Sequence, residues 1–405
     1  MLLAALLLSA AAEASASGSL CATLRSRLVR GGGGASGLYV IDGETGTPVC
    51  ARAAGRPRPL ASNMKLFTTS TALTRIGPRA RIATTLRTDG GIDRNGILHG
   101  SLYLVGGGDP TLGVPAFYNR YLGGLGTNVL QLKRQLREAG VRAVTGRLYA
   151  DDSIFDRLRG VADSGYATSP EIGPLSGLSF DSGYSTPTAS AFSADPAITA
   201  ASTLDAALRE AGVRISPAVA LKTAPPFSSE LAKVESPPLT AIVNTTDVYS
   251  DNFFAEMLIK LVGSRFGGSG STAAGARVVE AFARAHSSGV HAVDGSGLTR
   301  SNRASPRQVV ALLQAMRGTP AGEELIQDMA LAGHEGTVAD RMHGTAAYGR
   351  CRTKTGTIRA VSNLSGYCFN RDGHVMIFSI LMAGVRNLSL AHLEQDLIAA
   401  EIASY

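Results

Sequence analysis

A serine and a lysine three residues apart at a helix start constrain this chain more than any other stretch. They are Ser62 and Lys65, in Pro59-Leu60-Ala61-Ser62-Asn63-Met64-Lys65. Pro59 donates no helical hydrogen bond and favours a start just after it. Leu66, Phe67, Leu73 and Ile76 then give the apolar period of a buried helix, predicted from Ser62 to Ile76 and closed by Gly77-Pro78. A three-residue spacing puts both side chains on one face. A lysine desolvated inside a protein can shed its proton and serve as the base that a serine nucleophile needs. The unpaired N–H groups and dipole of the helix start favour negative charge developing beside Ser62.

Alone, such a four-residue pattern reads as a solvated helix face. Two further motifs change that. Ser250-Asp251-Asn252 precedes the apolar helix pattern Phe253 to Leu258, and Lys354-Thr355-Gly356-Thr357 lies in a strand-like stretch. Lysine is scarce here, six against 33 arginines, yet two of the six fall in these motifs. Read singly, Ser250 to Asn252 is a helix N-cap and Lys354 an exposed strand lysine. Together, S-x-x-K, S-D-N and K-T-G resemble the signature of class A β-lactamases and penicillin-binding proteins.

The 405 residues suffice for a large core and more than one domain. Apolar residues at 44% and charged residues at 18% are ordinary for a globular protein. The only long apolar run, Leu2 to Ala12, is too short for a transmembrane helix. It reads as the core of a signal peptide over residues 1–18, against the alternative of a buried N-terminal helix. An exported, periplasmic or extracellular, cell-wall-associated protein is expected. The charge of +7 suits a polyanionic wall, but scattered arginines account for it equally well. No basic block with interleaved aromatics occurs, so nucleic acid is not expected as a partner. The seven histidines show no ligand spacing, so neither metal nor cofactor is assigned.

Residues Leu20 to Val29 read as a short helix and Gly31 to Gly34 as a flexible connector. Gly37 to Asp42 and Thr47 to Arg52 form a hairpin. Near the other end, Arg350 to Ile358, Val361 to Asn370 and His374 to Ala383 are three successive strands, and Asn387 to Ser404 is a closing amphipathic helix. Two early strands and three late ones predict an α/β fold, with a five-stranded antiparallel sheet flanked by helices and interrupted by a β-rich inserted accessory region. The divisions are 19–80 and 235–405 for the two parts of the main domain and 81–234 for the insert. Within the insert, Leu-Arg-Glu-Ala-Gly-Val-Arg occurs at 136–142 and again at 208–214, read as one helix-stop signal used twice. The turn at Arg359-Ala360 lies midway between Cys351 and Cys368, which predicts a disulfide between them and leaves Cys21 to pair with Cys50.

Longer stretches extend the resemblance from about Ser19 to the C-terminus. They are Gly106-Gly107-Gly108-Asp109-Pro110-Thr111-Leu112, Asp151-Asp152-Ser153-Ile154-Phe155-Asp156, Asp294-Gly295-Ser296-Gly297-Leu298-Thr299-Arg300 and Ser305-Pro306-Arg307. With them the chain resembles the D-alanyl-D-alanine carboxypeptidase/endopeptidase family of low-molecular-mass (class C) penicillin-binding proteins. The long insert also suits that family, whereas class A β-lactamases are shorter. The resemblance implies a penicillin-binding, β-lactamase-like domain that cleaves peptidoglycan peptides through an acyl-enzyme and is inhibited by β-lactam antibiotics. Ser62 would be the nucleophile and Lys65 its base. Ser250 would relay a proton to the leaving amine, and Asn252 would hold the substrate amide and Lys65. Lys354 and Thr355 would grip the terminal carboxylate, Gly356 would let substrate approach, and Ser62 and Thr357 N–H groups would hold the oxyanion. Asp151 and Arg300 would meet the ammonium and carboxylate of a diaminopimelate-like side chain, with Arg359 nearby favouring a more anionic one. Asp109 reads as a turn former. A β-lactamase or related serine esterase, or a non-catalytic wall receptor, remains the alternative, and no oligomeric state is read from the sequence.

Overall fold

The computed structural model describes residues 18–216, 218–371 and 373–405. The signal-peptide expectation therefore lies almost wholly outside the described residues. The chain forms two compact units: residues up to 71 with 244–251 and 279–405, and residues 72–243 with 252–278.

The first unit is built on an antiparallel sheet in the order Ala330–Leu331, Cys351–Ile358, Val361–Phe369, Val375–Ala383, Gly37–Asp42, Pro48–Arg52. Five of these strands are those expected. The sixth, Ala330–Leu331, extends the sheet beyond Cys351–Ile358. A two-residue strand carries no alternation for a sequence pattern to register.

Both faces of the sheet are covered, so its central strands are buried nearly throughout. On one face lie the helix of residues 18–32 and the closing helix Leu388–Ser404. Leu24, Leu28, Ile398 and Ile402 pack there with Val40, Leu364 and Phe378. On the other lies the helix Pro306–Met316, where Tyr367 donates from its buried hydroxyl to the Leu313 carbonyl at 2.7 Å. That helix begins with a capping box between Ser305 and Gln308 and with proline in its first turn, which accounts physically for Ser-Pro-Arg at 305–307. Arg307 donates to the Tyr39 hydroxyl at 3.1 Å.

The glycine run is not the flexible connector expected. Gly31 and Gly32 form the last turn of the first helix and are buried. A Cβ on Gly31 would lie 2.9 Å from Glu394 Cβ, and one on Gly32 would lie 2.6 Å from Met382 Cγ. Their lack of side chains lets the helix end press onto the closing helix and the sheet.

The second unit holds a five-stranded sheet ordered Ala220–Leu221, Leu148–Asp151, Leu102–Val105, Ala83–Thr88, Ser229–Glu235. Leu148–Asp151 runs parallel to both neighbours, and Ala83–Thr88 antiparallel to both of its own. The helices Gln131–Glu138 and Pro196–Glu210 pack on it through Leu132, Leu136, Leu204 and Leu208. Both copies of the heptapeptide end a helix the same way. Gly140 and Gly212 take φ 83°, and Val141 and Val213 donate back to Leu136 and Leu208. The chain after each copy then meets the other, Val144 donating to the Arg214 carbonyl at 2.8 Å. Among the described residues no helix is long and apolar enough to cross a membrane.

Both expected disulfides, Cys21–Cys50 and Cys351–Cys368, are present and no cysteine is free. They close loops of 29 and 17 residues. On the chain-entropy account each adds about 3 to 4 kcal/mol. Replacing either pair by alanines should lower unfolding free energy by that amount in urea titrations, and non-reducing peptide maps should contain only these two crosslinks.

Candidate active site

Ser62 lies in a short 3-10 turn, Ala61–Asn63, that runs into the helix Met64–Ile76. Three supports hold this turn. Asn363, on the central strand Val361–Phe369, donates to the carbonyls of Pro59 at 3.0 Å and Leu60 at 2.7 Å. Ser365, two residues on and so on the same face, donates to Asn63 Oδ1 at 2.6 Å. Asn63 in turn donates to the Lys354 carbonyl at 3.0 Å. The serine turn is thereby tied to two neighbouring strands by polar side chains that a buried strand otherwise lacks.

Two glycines permit the close approach. A Cβ on Gly356 would sit 3.0 Å from the Leu60 carbonyl and 3.1 Å from the Asn63 nitrogen. At Gly356 the serine turn packs tightly against its strand, and the lack of a Cβ eases that contact. Gly297, at φ 90°, leaves no space for a Cβ beside the Ala61 carbonyl. Its loop is shaped by buried Asp294, which accepts from Gly297 N–H at 2.7 Å, Thr299 N–H at 2.9 Å and Asn302 Nδ2 at 2.6 Å. Ala61 and Ser250 both adopt left-handed backbone, with φ 45° and 60°. Such non-glycine conformations cost on the order of 1–3 kcal/mol and persist where surrounding contacts impose them.

Lys65 is fully buried. Its Nζ donates to Ser62 Oγ at 3.1 Å and to the Ser296 carbonyl at 2.8 Å. Lys354, also fully buried, donates to Ser250 Oγ at 2.9 Å and to the Thr355 carbonyl at 3.1 Å. Burial, together with the charge of Lys65, pushes the Lys354 amine down to about 7. Thr355 donates to Thr337 Oγ1 at 2.7 Å, and Thr357 is exposed. The structure thus brings Ser62, Lys65, Ser250, Lys354 and Thr355 together beside the strand Cys351–Ile358. Asn252 opens the helix Asn252–Phe266, assigned to the second unit, where its Nδ2 donates to the Glu171 carbonyl at 3.1 Å.

Asp151 is buried at the end of its strand and accepts from the N–H groups of Ser153 at 2.9 Å and Ala224 at 2.8 Å. It lines a cavity of about 240 Å³ with Asp152, Arg157, Lys222 and Thr223. Arg300 is exposed and donates to the Arg359 carbonyl at 2.5 Å. Asp109, buried, accepts from Thr111 N–H and the Thr111 and Thr127 hydroxyls, the local fold of a turn former. Among the described residues no cluster of three or more His, Cys, Asp or Glu could hold a metal.

Asn363, Ser365, Asn63, Ser296 and Thr337 escaped sequence reasoning. The one available signal was a polar residue interrupting a buried strand, as Asn363 and Ser365 do.

The model of the D-Ala-D-Ala carboxypeptidase 3 (S13) family matches residues 22–192 and 176–402. The chain belongs to that family. A D-alanyl-D-alanine carboxypeptidase of Actinomadura sp. is 30% identical over an alignment covering 92% of this chain and 82% of the relative. A Mycobacterium tuberculosis carboxypeptidase is 29% identical, covering 84% and 75%. The fold of this S13 chain is that of penicillin binding protein 4 from Haemophilus influenzae, with TM-score 0.80 at 19% identity, covering 94% of this chain and 99% of that one.

Within this S13 site the two lysines are not equivalent. Lys65→Arg keeps charge but removes a usable base, so serine acylation should fall by about 10²- to 10⁴-fold. Lys354→Arg retains a cation for a carboxylate and should act mainly through KM. Acylation rates and steady-state constants for both variants check this, and equal losses in the same constant would contradict it.

Proposed function

We propose that the chain is a serine D-alanyl-D-alanine carboxypeptidase/endopeptidase that cleaves peptidoglycan peptides through an acyl-enzyme on Ser62. The observation that carries this reading is the pair of buried lysines, one donating to Ser62 and the other to Ser250. Family membership supplies the substrate class. In the acylation step Ser62 Oγ attacks the carbonyl between two D-alanines and its proton passes to Lys65. Lys354 and Thr355 hold the terminal carboxylate, and the N–H groups of Ser62 and Thr357 receive the developing oxyanion. The C–N bond then breaks as Ser250 delivers a proton to the leaving amine, and water later hydrolyses the ester. Asn252 is assigned to the substrate amide and to Lys65 from its place in the Ser-Asp-Asn motif.

A β-lactam presents the same carbonyl and carboxylate, so it would acylate the same serine. A solved Bdellovibrio bacteriovorus endopeptidase with this fold is described as penicillin G acylated, at TM-score 0.52 and 19% identity. Two disulfides suit an oxidising compartment, and we place the enzyme outside the cytoplasm at the cell wall. Incubation with a D-alanyl-D-alanine peptide and with penicillin should release D-alanine and give a covalent adduct on Ser62, both absent in Ser62→Ala. An adduct on another serine, or one that persists in the variant, refutes the assignment. Stoichiometric adduct without peptide turnover would favour a receptor, and rapid adduct breakdown a β-lactamase.

For the third residue of the peptide we propose a diaminopimelate-like side chain. Arg300 would meet its carboxylate by parallel hydrogen bonds and Asp151 its ammonium. The Asp151 carboxylate already has two backbone donors, which keep its oxygens aimed while leaving lone pairs free. Peptides with diaminopimelate, lysine or alanine at that position should differ in kcat/KM in the wild type. Arg300→Ala should lower the diaminopimelate value selectively. Equal loss on all three places the pocket elsewhere.

A further inference from the structure

The cavity that Asp151 lines carries more charge than the role given to Asp151 uses. It measures about 240 Å³ and belongs wholly to the second unit, with Asp151, Asp152, Arg157, Lys222 and Thr223 as its polar lining. Asp152 is already answered. Its Oδ2 accepts from Arg159 at 3.2 Å and from the Ser176 hydroxyl at 3.3 Å, and its Oδ1 lies 3.6 Å from Arg157. Asp151 and Lys222 are the charges left over.

Backbone pairing sets those two side by side. The strand Leu148–Asp151 runs parallel to Ala220–Leu221, with Tyr149 opposite Ala220 and Ala150 opposite Leu221, and the Lys222 N–H donates to the Ala150 carbonyl at 3.0 Å. The next step in this register brings Lys222 opposite Asp151, across a strand spacing of about 4.8 Å. Asp151 shares a face with Tyr149, two residues before it. Lys222 is on that face too, because its ammonium rests over the Tyr149 ring, 4.9 Å from the centre. Opposite charges so placed would ordinarily close into an ion pair, yet these stay apart. Each Asp151 oxygen is held by a backbone N–H, one from Ser153 and one from Ala224. The Lys222 Nζ turns instead to the stacked rings of Tyr149 and Tyr103, lying 5.7 Å from the centre of the second. Asp89, on the Tyr103 hydroxyl, accepts from that hydroxyl and from the Ser101 N–H, both at 2.7 Å. Among the described residues Lys222 has no ion-pair partner.

A cation and an anion held apart in one cavity suit an occupant that carries both charges. The terminus of an amino-acid-like side chain does, because its ammonium and carboxylate sit on one carbon and must be met within a single cavity. We propose that Lys222 is a specificity-determining residue that reads the carboxylate of the side-chain terminus bound at Asp151, so that the pocket selects a free carboxylate over its neutral amide. This rests on the reading of Asp151 given above. Arg300, in the first unit, is assigned the same carboxylate from its motif, whereas Lys222 is the cation that strand register sets beside Asp151 itself. The tyrosine faces take one side of the ammonium and leave its other N–H donors for the carboxylate.

The test is kcat/KM on D-alanyl-D-alanine peptides matched except at the third residue. That residue is diaminopimelate, diaminopimelate with its side-chain carboxylate converted to the amide, lysine or alanine. In the wild type the carboxylate form should exceed its amide by about tenfold, the scale of one hydrogen bond to a charged group. Lys222→Met keeps an unbranched stem without the charge and should bring the diaminopimelate value down to that of its amide, while Lys222→Arg should restore part of the difference. Lys222 is exposed, so neither substitution opens a buried space. Loss by one factor on all four peptides is what a purely structural lysine gives, and it overturns the proposal. So does a carboxylate-to-amide ratio that survives in Lys222→Met and disappears in Arg300→Ala, which leaves Arg300 as the sole reader. Lysine against alanine tests the reading beneath. A wild type that does not distinguish these two has no ammonium site at Asp151, and both readings fall. One that prefers lysine, while Lys222→Met keeps the carboxylate-to-amide ratio, overturns the role of Lys222 alone.

Discussion

The serine turn pressed between a sheet and a loop is the constraint on which the rest of the site depends. Within Pro59 to Asn63 the backbone closes the bond from Asn63 N–H to the Leu60 carbonyl at 3.1 Å, but its entering carbonyls take further donors from outside the turn. Asn363 accepts that burden by donating to two successive carbonyls, and Ser365 steadies Asn63, which reaches the Lys354 carbonyl. One set of side chains therefore locates the Ser62 segment relative to the strand that carries Lys354. Gly356 on one side and Gly297 on the other remove the Cβ atoms that would push the turn out of place. The left-handed φ of Ala61 is imposed by this packing.

On that frame the chemistry becomes a matter of charge in a poorly solvated space. Two lysines with no exposure cannot both hold a proton without cost; Lys65 and Lys354 each donate to a serine hydroxyl and to a backbone carbonyl. The carboxyls nearby differ in kind. Asp294 is satisfied by three donors and shapes a loop, whereas burial raises Asp247 to about 6 against the pull of Lys354 and the Thr69 hydroxyl beside it. The same low dielectric makes every charge in that space act strongly on its neighbours.

Much of this was open to reading in one dimension. Ser62 and Lys65 lie on one face because of helix geometry, and the Ser250 and Lys354 motifs, the hairpins and the closing helix carry local signals that need no partner. Even the Cys351–Cys368 pairing follows from symmetry about a two-residue turn, which the register Cys351 opposite Cys368 realises. What local signals missed was decided at contacts between distant segments. Gly31 and Gly32 have the composition of a linker, yet they are buried because residues at least 350 positions away pack against them. Ala330–Leu331 is a strand only because a neighbour offers it an edge.

The sequence by itself determined the family, the nucleophile candidate and its base, since these rest on residue types at helical spacing and on long ordered motifs. Only the tertiary structure decided that Lys354 donates to Ser250 and that Asn363 and Ser365 hold the serine turn in place. The reason is physical. Spacing along one element fixes which side chains share a face, but the protonation of a buried amine depends on every charge around it, and those charges come from segments that the chain's order does not place together.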